Sequence, residues 1–286
     1  MDERENQSPG VLTAGPMDES GVPRPAGSAA KNTFVSLADR IGQYRPARNL
    51  YQRSLNRRYW RFRLGRREFF RQFVAPGDLV FDIGANKGEY TEMLLELGGR
   101  VVAVEPQPTI ARRTKQRFPQ ARVVTAAAGP ARGRARLRIN RHPALASLSE
   151  RWITVATPDD WTGEEIDVPV VTLDQLIEEH GYPAFVKIDV EGYEAEVLTG
   201  LSEPLSQLWF EYQCRLLTAT EEALARLAEL GVYEFNLTQN YPSPDTRFLL
   251  PAHTGRDALL AKIENLRTHD ERIYGDIHAR RRSQSF

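Results

Sequence analysis

The stretch FDIGANKGEY, Phe81 to Tyr90, decides the fold. The apolar run LVFDI, residues 79–83, is contiguous and β-branched enough to read as a buried strand. After it, EYTEMLLELGG carries its apolar positions at helical spacing and stops at a glycine pair. Gly84, Asn86 and Gly88 therefore sit on a strand-to-helix turn. In open α/β sheets this is where a cofactor is bound, beyond the carboxyl ends of the strands. Two glycines keep such a turn tight and let a ligand approach the backbone. The following helix offers its dipole and free N–H groups to a negative group such as a carboxylate.

Outward from this turn the pattern alternates. Residues 100–106 and 121–127 read as strands flanking a helix over 109–117. Residues 134–140 and 166–172 read as extra strands around a polar loop, and 172–181 as a helix that Thr172 caps and Gly181 stops. Residues 184–190 and 207–213 read as the fourth and fifth core strands, each followed by a helix, over 193–198 and 221–230. A final antiparallel pair is expected from 233–239 and 246–252. Such alternation implies an α/β fold, a mostly parallel sheet with helices on both faces.

The rest of the chain divides by composition. Residues 1–32 are rich in Pro, Gly, Ser and charge and are expected to be a disordered tail. Residues 33–76 are expected to form an Arg/aromatic-rich helical extension whose aromatics pack on a core, its arginines making either a solvated face on a cap helix or a surface for an anionic partner. The catalytic domain is expected over 77–254, followed by a C-terminal helix and basic tail over 255–286.

Bulk properties narrow the class. Hydrophobic residues make up 41% of the 286, enough for a substantial core. The formal net charge is zero, which gives no reason to expect nucleic acid. Cys214 is the single cysteine, so an intrachain disulfide and a cysteine-based zinc cluster are excluded. No run approaches the ~18 apolar residues of a membrane span, and the polar start MDERENQSPG lacks a secretory core. A cytoplasmic location is expected.

Glu105 stands 17 residues after Gly88, at the end of the second expected strand. An acid there accepts hydrogen bonds from ribose hydroxyls. Dinucleotide sites usually show G-x-G-x-x-G, because a pyrophosphate needs bare backbone; this chain has D-I-G-A-N-K-G. The extra charge of Asp82 suits a ligand that carries a cation and an amino group, as S-adenosyl-L-methionine does. A nicotinamide-dependent oxidoreductase and a non-catalytic cofactor-binding module are the alternatives.

FDIGANKGEY, VVAVEPQP, VTLDQL and VKIDVEGYEAEVLTG, in that order between Gly77 and Glu211, together resemble the FkbM-type methyltransferases. The resemblance implies a class I methyltransferase (Rossmann-like) sheet of seven strands, the last two partly antiparallel. It also implies S-adenosylmethionine-dependent O-methylation of a sugar, glycan or natural-product hydroxyl. Asp82, Gly84, Asn86 and Gly88 match the family's cofactor turn, and Glu105 its ribose acid. With Ala85, Pro106 and Ala127 they form the expected cofactor set, Ala126 and Ala127 standing at the adenine side. The SLS of residues 147–149 resembles the family's serine-leucine element. The arginine-rich extension and the tail lie outside the shared pattern, and an acceptor on protein or lipid stays open.

In VKIDVEGYE, Lys187, Asp189 and Glu191 alternate along a strand end and share a face. Ionisable groups there are costly to bury unless paired or liganded. Asp189 is expected to act as general base or to hold the acceptor, and the alternative is a structural pair with Lys187. Glu191 is read either way. Glu211 adds a further carboxylate, and three acids are able to hold a divalent ion through oxygen ligands; no metal site is assigned. His142, in the irregular segment NRHPALAS, is a second candidate base, unless it is simply solvated. His180 is read as a complement to a helix dipole.

Overall fold

The computed structural model describes residues 57–155, 160–240 and 247–282. The expected disordered tail and residues 33–56 of the extension lie outside them. The chain divides into two units, Met1–Tyr59 and Trp60–Phe286. The description that follows concerns the second.

Strand β1 (Leu79–Ile83) is buried along its whole length. Its odd residues Leu79, Phe81 and Ile83 enter one apolar cluster, while Val80 enters another on the opposite face. The remaining core strands are β2 (Arg100–Val104), β3 (Arg122–Val124), β7 (Phe185–Ile188), β8 (Gln207–Gln213), β9 (Tyr233–Leu237) and β10 (Tyr274–Arg281). They form a seven-stranded sheet in the order β3-β2-β1-β7-β8-β10-β9. The β1–β2, β2–β3, β1–β7 and β7–β8 pairings are parallel, and β10 runs antiparallel to both of its neighbours. This is the class I methyltransferase sheet. The strand order reverses between β1 and β7, so a crevice opens at their carboxyl ends.

Helices cover both faces. The face of Val80, Val101, Phe185 and Trp209 is packed by Phe70 of α1 (Arg57–Phe70), by Met93 and Leu94 of α2 (Glu89–Glu96), and by Phe118, which follows α3 (Pro108–Arg117). The other face is packed by α5 (Leu173–His180), α6 (Glu194–Thr199), α7 (Leu217–Leu230) and α8 (Arg256–His269). The short α4 (Glu150–Val155) stands apart, with Trp152 against Leu216. Thr172 closes a capping box with Gln175 at the start of α5. A small second sheet, β4-β6-β5, is made by β4 (Ala127–Ala128), β6 (Trp161–Val171) and β5 (Gly133–Asn140). The expected strand over 121–127 is thus divided between the two sheets.

Two boundaries differ from the sequence reading. Residues 247–252 form no strand, although Leu249 N–H donates to the Leu237 carbonyl. The last strand is β10, in what was expected to be a basic tail, and it lies between β8 and β9. Its pattern misleads because two buried positions, Asp276 and His278, are polar. Each has a partner distant in sequence: Asp276 pairs with Lys187, and His278 Nδ1 meets His253 Nε2 at 2.8 Å. At the other end, the end of the extension joins the core, with Phe70, Phe73 and Val74 buried. Phe70 meets Trp209 edge-on at 4.8 Å, and Phe73 stacks with Phe185. Among the described residues, four of its arginines have partners: Arg63 and Arg67 face Glu96, Arg66 lies over the rings of Phe62 and Tyr90, and Arg71 pairs with Glu68.

Because β10 supplies ladder bonds to two strands, removing residues 274–282 exposes both β8 and β9. The truncated chain is expected to lose cooperative urea unfolding. A sharp transition at the full-length midpoint would contradict this placement.

Candidate active site

The turn after β1 is built by backbone. Gly84 N–H and Ala85 N–H both donate to the Val104 carbonyl at 2.9 Å. Gly84 has φ +78, and a Cβ placed on it would fall 1.7 Å from the Asp189 carbonyl oxygen. The end of β7 thus occupies the space that a side chain would need. Asn86 is left-handed at φ 46, a conformation open to asparagine. Its N–H donates to Glu105 Oε2 at 2.8 Å, and Gln107 N–H donates to Glu105 Oε1 at 2.9 Å. Both carboxylate oxygens are therefore held by backbone amides on the same wall of the crevice. Burial, partly offset by those amides, pushes Glu105 up to about 7.

A cleft of about 520 Å³, counting its open mouth, lies over this arrangement. Its walls include Gly84, Asn86, Glu105, Pro106, Ala126 and Ala127 on one side and Asp189, Glu191 and Tyr193 on the other. Among the described residues three carboxylates line it, and no lysine, arginine or histidine does. Asn86 Oδ1 is buried there without a hydrogen-bond partner. A segment from β5 and the following loop closes one side through Leu137, Pro143 and Ala144. Gln107 Nε2 ties that segment down by donating to the Pro143 carbonyl at 2.8 Å.

Four of the expected residues stand behind the cleft rather than on it. Asp82 is buried beneath the turn, where Thr91 Oγ1 donates to it at 2.5 Å. Burial pushes it up to about 6, against the Thr91 bond. Ala85 packs in the Phe70 cluster, and a Cβ on Gly88 would strike Phe118, so both serve the packing of the turn. Lys187 is buried, its Nζ 2.8 Å from Asp276 and 3.3 Å from Asp189. Burial disfavours its charge, but the two carboxylates outweigh that and hold the ammonium well above its ordinary range. His142 does not line the cleft; it precedes Pro143, and its N–H donates to Asn140 Oδ1. His180, at the end of α5, faces the ring of Phe81.

The acids at the ends of β7 and β8 do converge. Asp189, Glu191 and Glu211 each present an oxygen within 4.8 Å of the others. Withdrawal from water and mutual repulsion push Glu191 and Glu211 well above the carboxylate range. Glu191 is left-handed at φ 56, and its carbonyl accepts from Ser147 Oγ at 2.8 Å. Ser149 N–H in turn donates to Ser147 Oγ, so the serine-leucine element braces the loop that carries Glu191. Glu194 braces it from the other side, its Oε1 accepting from Val190 and Gly192 N–H.

Several contributors were missed in the sequence. Gln107 and Glu194 lie inside quoted motifs and were legible as polar residues next to a site. Tyr193 and Pro143 carry no local signal. Asp276 was hidden with its strand.

The comparisons with known proteins agree in kind. A curated relative, described as 31-O-demethyl-FK506 methyltransferase FkbM from Streptomyces tacrolimicus, is 34% identical over 161 residues. That similarity takes in 46% of this chain and 62% of the relative, so this chain spans less than two thirds of the relative's length. Among solved structures, precorrin-6Y C5,15-methyltransferase from Geobacter metallireducens is similar at 12% identity. It covers 77% of this chain and 88% of that one, with a TM-score of 0.39. An S-adenosylmethionine-dependent O-methyltransferase from Thermotoga maritima is similar at 14% identity over 77% of this chain and 66% of that one, with a TM-score of 0.35. The model of the methyltransferase FkbM domain matches residues 82–236, more than half of the chain. By that match, this chain belongs to the FkbM methyltransferase family.

Proposed function

We propose that the protein is an S-adenosyl-L-methionine-dependent methyltransferase acting on a hydroxyl of a sugar, glycan or natural-product acceptor. One observation carries the reading: the Gly84–Asn86 turn, the Glu105 carboxylate and Asp189 share one cleft that, among the described residues, bears no basic side chain. A pyrophosphate would meet carboxylates on these walls where it needs bare backbone, whereas a sulfonium with an ammonium group finds acidic partners. The residues present fit that cofactor. Glu105 accepts from the ribose hydroxyls, and the unpartnered Asn86 Oδ1 is an acceptor for the ammonium. Val104, Pro106, Ala126, Ala127 and Leu137 supply an apolar wall for the adenine. The O-methyl class of the acceptor takes support from the name of the curated relative.

When bound, the cofactor supplies an activated methyl group on sulfur. The chain's own contribution is placement and proton handling. Holding two reactants in line removes much of the entropic barrier. Asp189, at the rim of the cleft, takes the proton of the acceptor hydroxyl, and Glu191 beside it hydrogen-bonds to a neighbouring hydroxyl. Lys187 supports Asp189 from below and does not itself touch the reactants.

The direct test is to incubate the protein with methyl-labelled cofactor and a panel of hydroxyl-bearing acceptors. Label transferred to oxygen supports the reading; transfer to nitrogen or carbon alone would contradict it. Asp189→Asn should lower turnover by ~10²–10⁴-fold while affinity for S-adenosylhomocysteine stays within about threefold; equal losses would make Asp189 structural.

A pH dependence follows from Glu105. Its carboxyl, raised to about 7, is protonated in the free cleft below that pH. Ribose hydroxyls donate more strongly to the ionised form. Affinity for S-adenosylhomocysteine should therefore rise as pH passes through about 7 and then level. In Glu105→Gln it should be weaker and lack that step, as calorimetric titration across pH will read; an unchanged step would remove Glu105 from the ribose site. Gly84→Ala forces a Cβ into the Asp189 carbonyl and should cost about 3 kcal/mol or more in urea unfolding. Wild-type stability in that variant would contradict the close approach.

A further inference from the structure

Lys187 is a buried cation set between two carboxylates. It is 1% exposed, and Asp276, on β10, is 3% exposed. Asp276 is the nearer partner, its Oδ1 2.8 Å from Lys187 Nζ, against 3.3 Å for Asp189 Oδ2. The other oxygen of Asp276 accepts from Asn240 Nδ2 at 2.9 Å, which fixes the carboxylate in place. Lys187 also lies 4.9 Å from the centre of the Tyr90 ring, and Arg66 lies 5.0 Å from the same ring. Of the three charges in the Asp276–Lys187–Asp189 row, only Asp189 lines the cleft.

The consequence is electrostatic. A lone Lys187 beneath Asp189 would cancel its charge and leave the methyl end of the cleft neutral at that point. With Asp276 in place the buried pair is itself neutral, and Asp189 remains a net negative charge. We propose that Asp276 is a positioning residue for charge: it neutralises Lys187 so that Asp189 presents an uncompensated carboxylate to the cofactor's sulfonium. This rests on the methyltransferase reading, which requires the sulfonium at the Asp189 end of the cleft.

The two forms of the cofactor test it without any acceptor. S-adenosylmethionine carries the sulfonium charge and S-adenosylhomocysteine does not, so the ratio of their affinities reads the potential at that point. Calorimetric titration of the full-length protein with each is run above the pH at which Glu105 ionises. Asp276→Asn leaves Lys187 to cancel the charge of Asp189 and should weaken S-adenosylmethionine roughly three- to tenfold more than S-adenosylhomocysteine. Asp276→Glu, which keeps the charge, should hold the ratio near that of the wild type.

A variant whose buried lysine has lost its nearer carboxylate is at risk of misfolding. The double variant K187M/D276N removes both charges and avoids that risk. Its affinity ratio should lie within about twofold of the wild type, because the deleted pair is neutral. Equal weakening of both ligands in Asp276→Asn would make Asp276 merely structural and overturn the proposal. So would a double variant that favours S-adenosylmethionine by roughly tenfold more than the wild type does, because Lys187 would then have been cancelling Asp189. If the wild type bound neither nucleoside, the methyltransferase reading itself would fail, and the assignment of Asp276 with it.

Discussion

The architecture of the site depends on the close approach of two backbones, at Gly84 and Asp189. Strands β1 and β7 pair in parallel, and the Asp189 N–H continues the ladder by donating to the Ile83 carbonyl. The Asp189 carbonyl then sits where a Cβ on residue 84 would have to be. That contact holds the turn after β1 against the end of β7 and fixes the distance between the two walls of the cleft. The sheet order adds β2 on the other side of β1, so Glu105 arrives at the same edge. Three segments far apart in sequence are brought to one crevice by two parallel pairings and one missing side chain.

Charge at this edge is arranged in layers. Behind the surface, Asp82 is satisfied by Thr91 and Glu194 by two backbone amides. Asp276 and Lys187 satisfy each other. In the case of Asp276 the attraction of Lys187 overcomes burial and holds the carboxyl below its usual range. At the surface, Glu105 is oriented by two amides, while Asp189, Glu191 and Glu211 crowd together at the strand ends. A rim this acidic is costly without a partner that donates hydrogen bonds or carries positive charge. Polyhydroxyl acceptors and a sulfonium provide both, which is why the proposed chemistry is consistent with the electrostatics as well as with the fold.

Much of this was legible in the chain. The run 79–83 could be read because all five of its residues are buried and four are apolar. The glycine turn, Glu105 and the VKIDVEG block could be read because their spacing relative to strand ends carries the chemistry. Asp82, Ala85 and Gly88 were motif residues whose side chains or backbones serve the packing of the turn, and spacing alone does not separate a wall from its support. The final strand was not legible. Asp276 and His278 look like solvent positions, and the partners that make them burial-competent, Lys187 and His253, lie 89 and 25 residues away. The arginine-rich extension was legible as helix with its aromatics on a core, but not that Phe70 and Phe73 meet Trp209, a partner only the folded sheet defines.

A structure of the protein crystallised with S-adenosylhomocysteine tests the account most directly. The account predicts the ribose hydroxyls within hydrogen-bonding distance of Glu105, the amino acid end at Gly84–Asn86, and the thioether sulfur facing Asp189. A nucleoside bound on another face of the sheet, or lying in the cleft with its ribose away from Glu105, would contradict it.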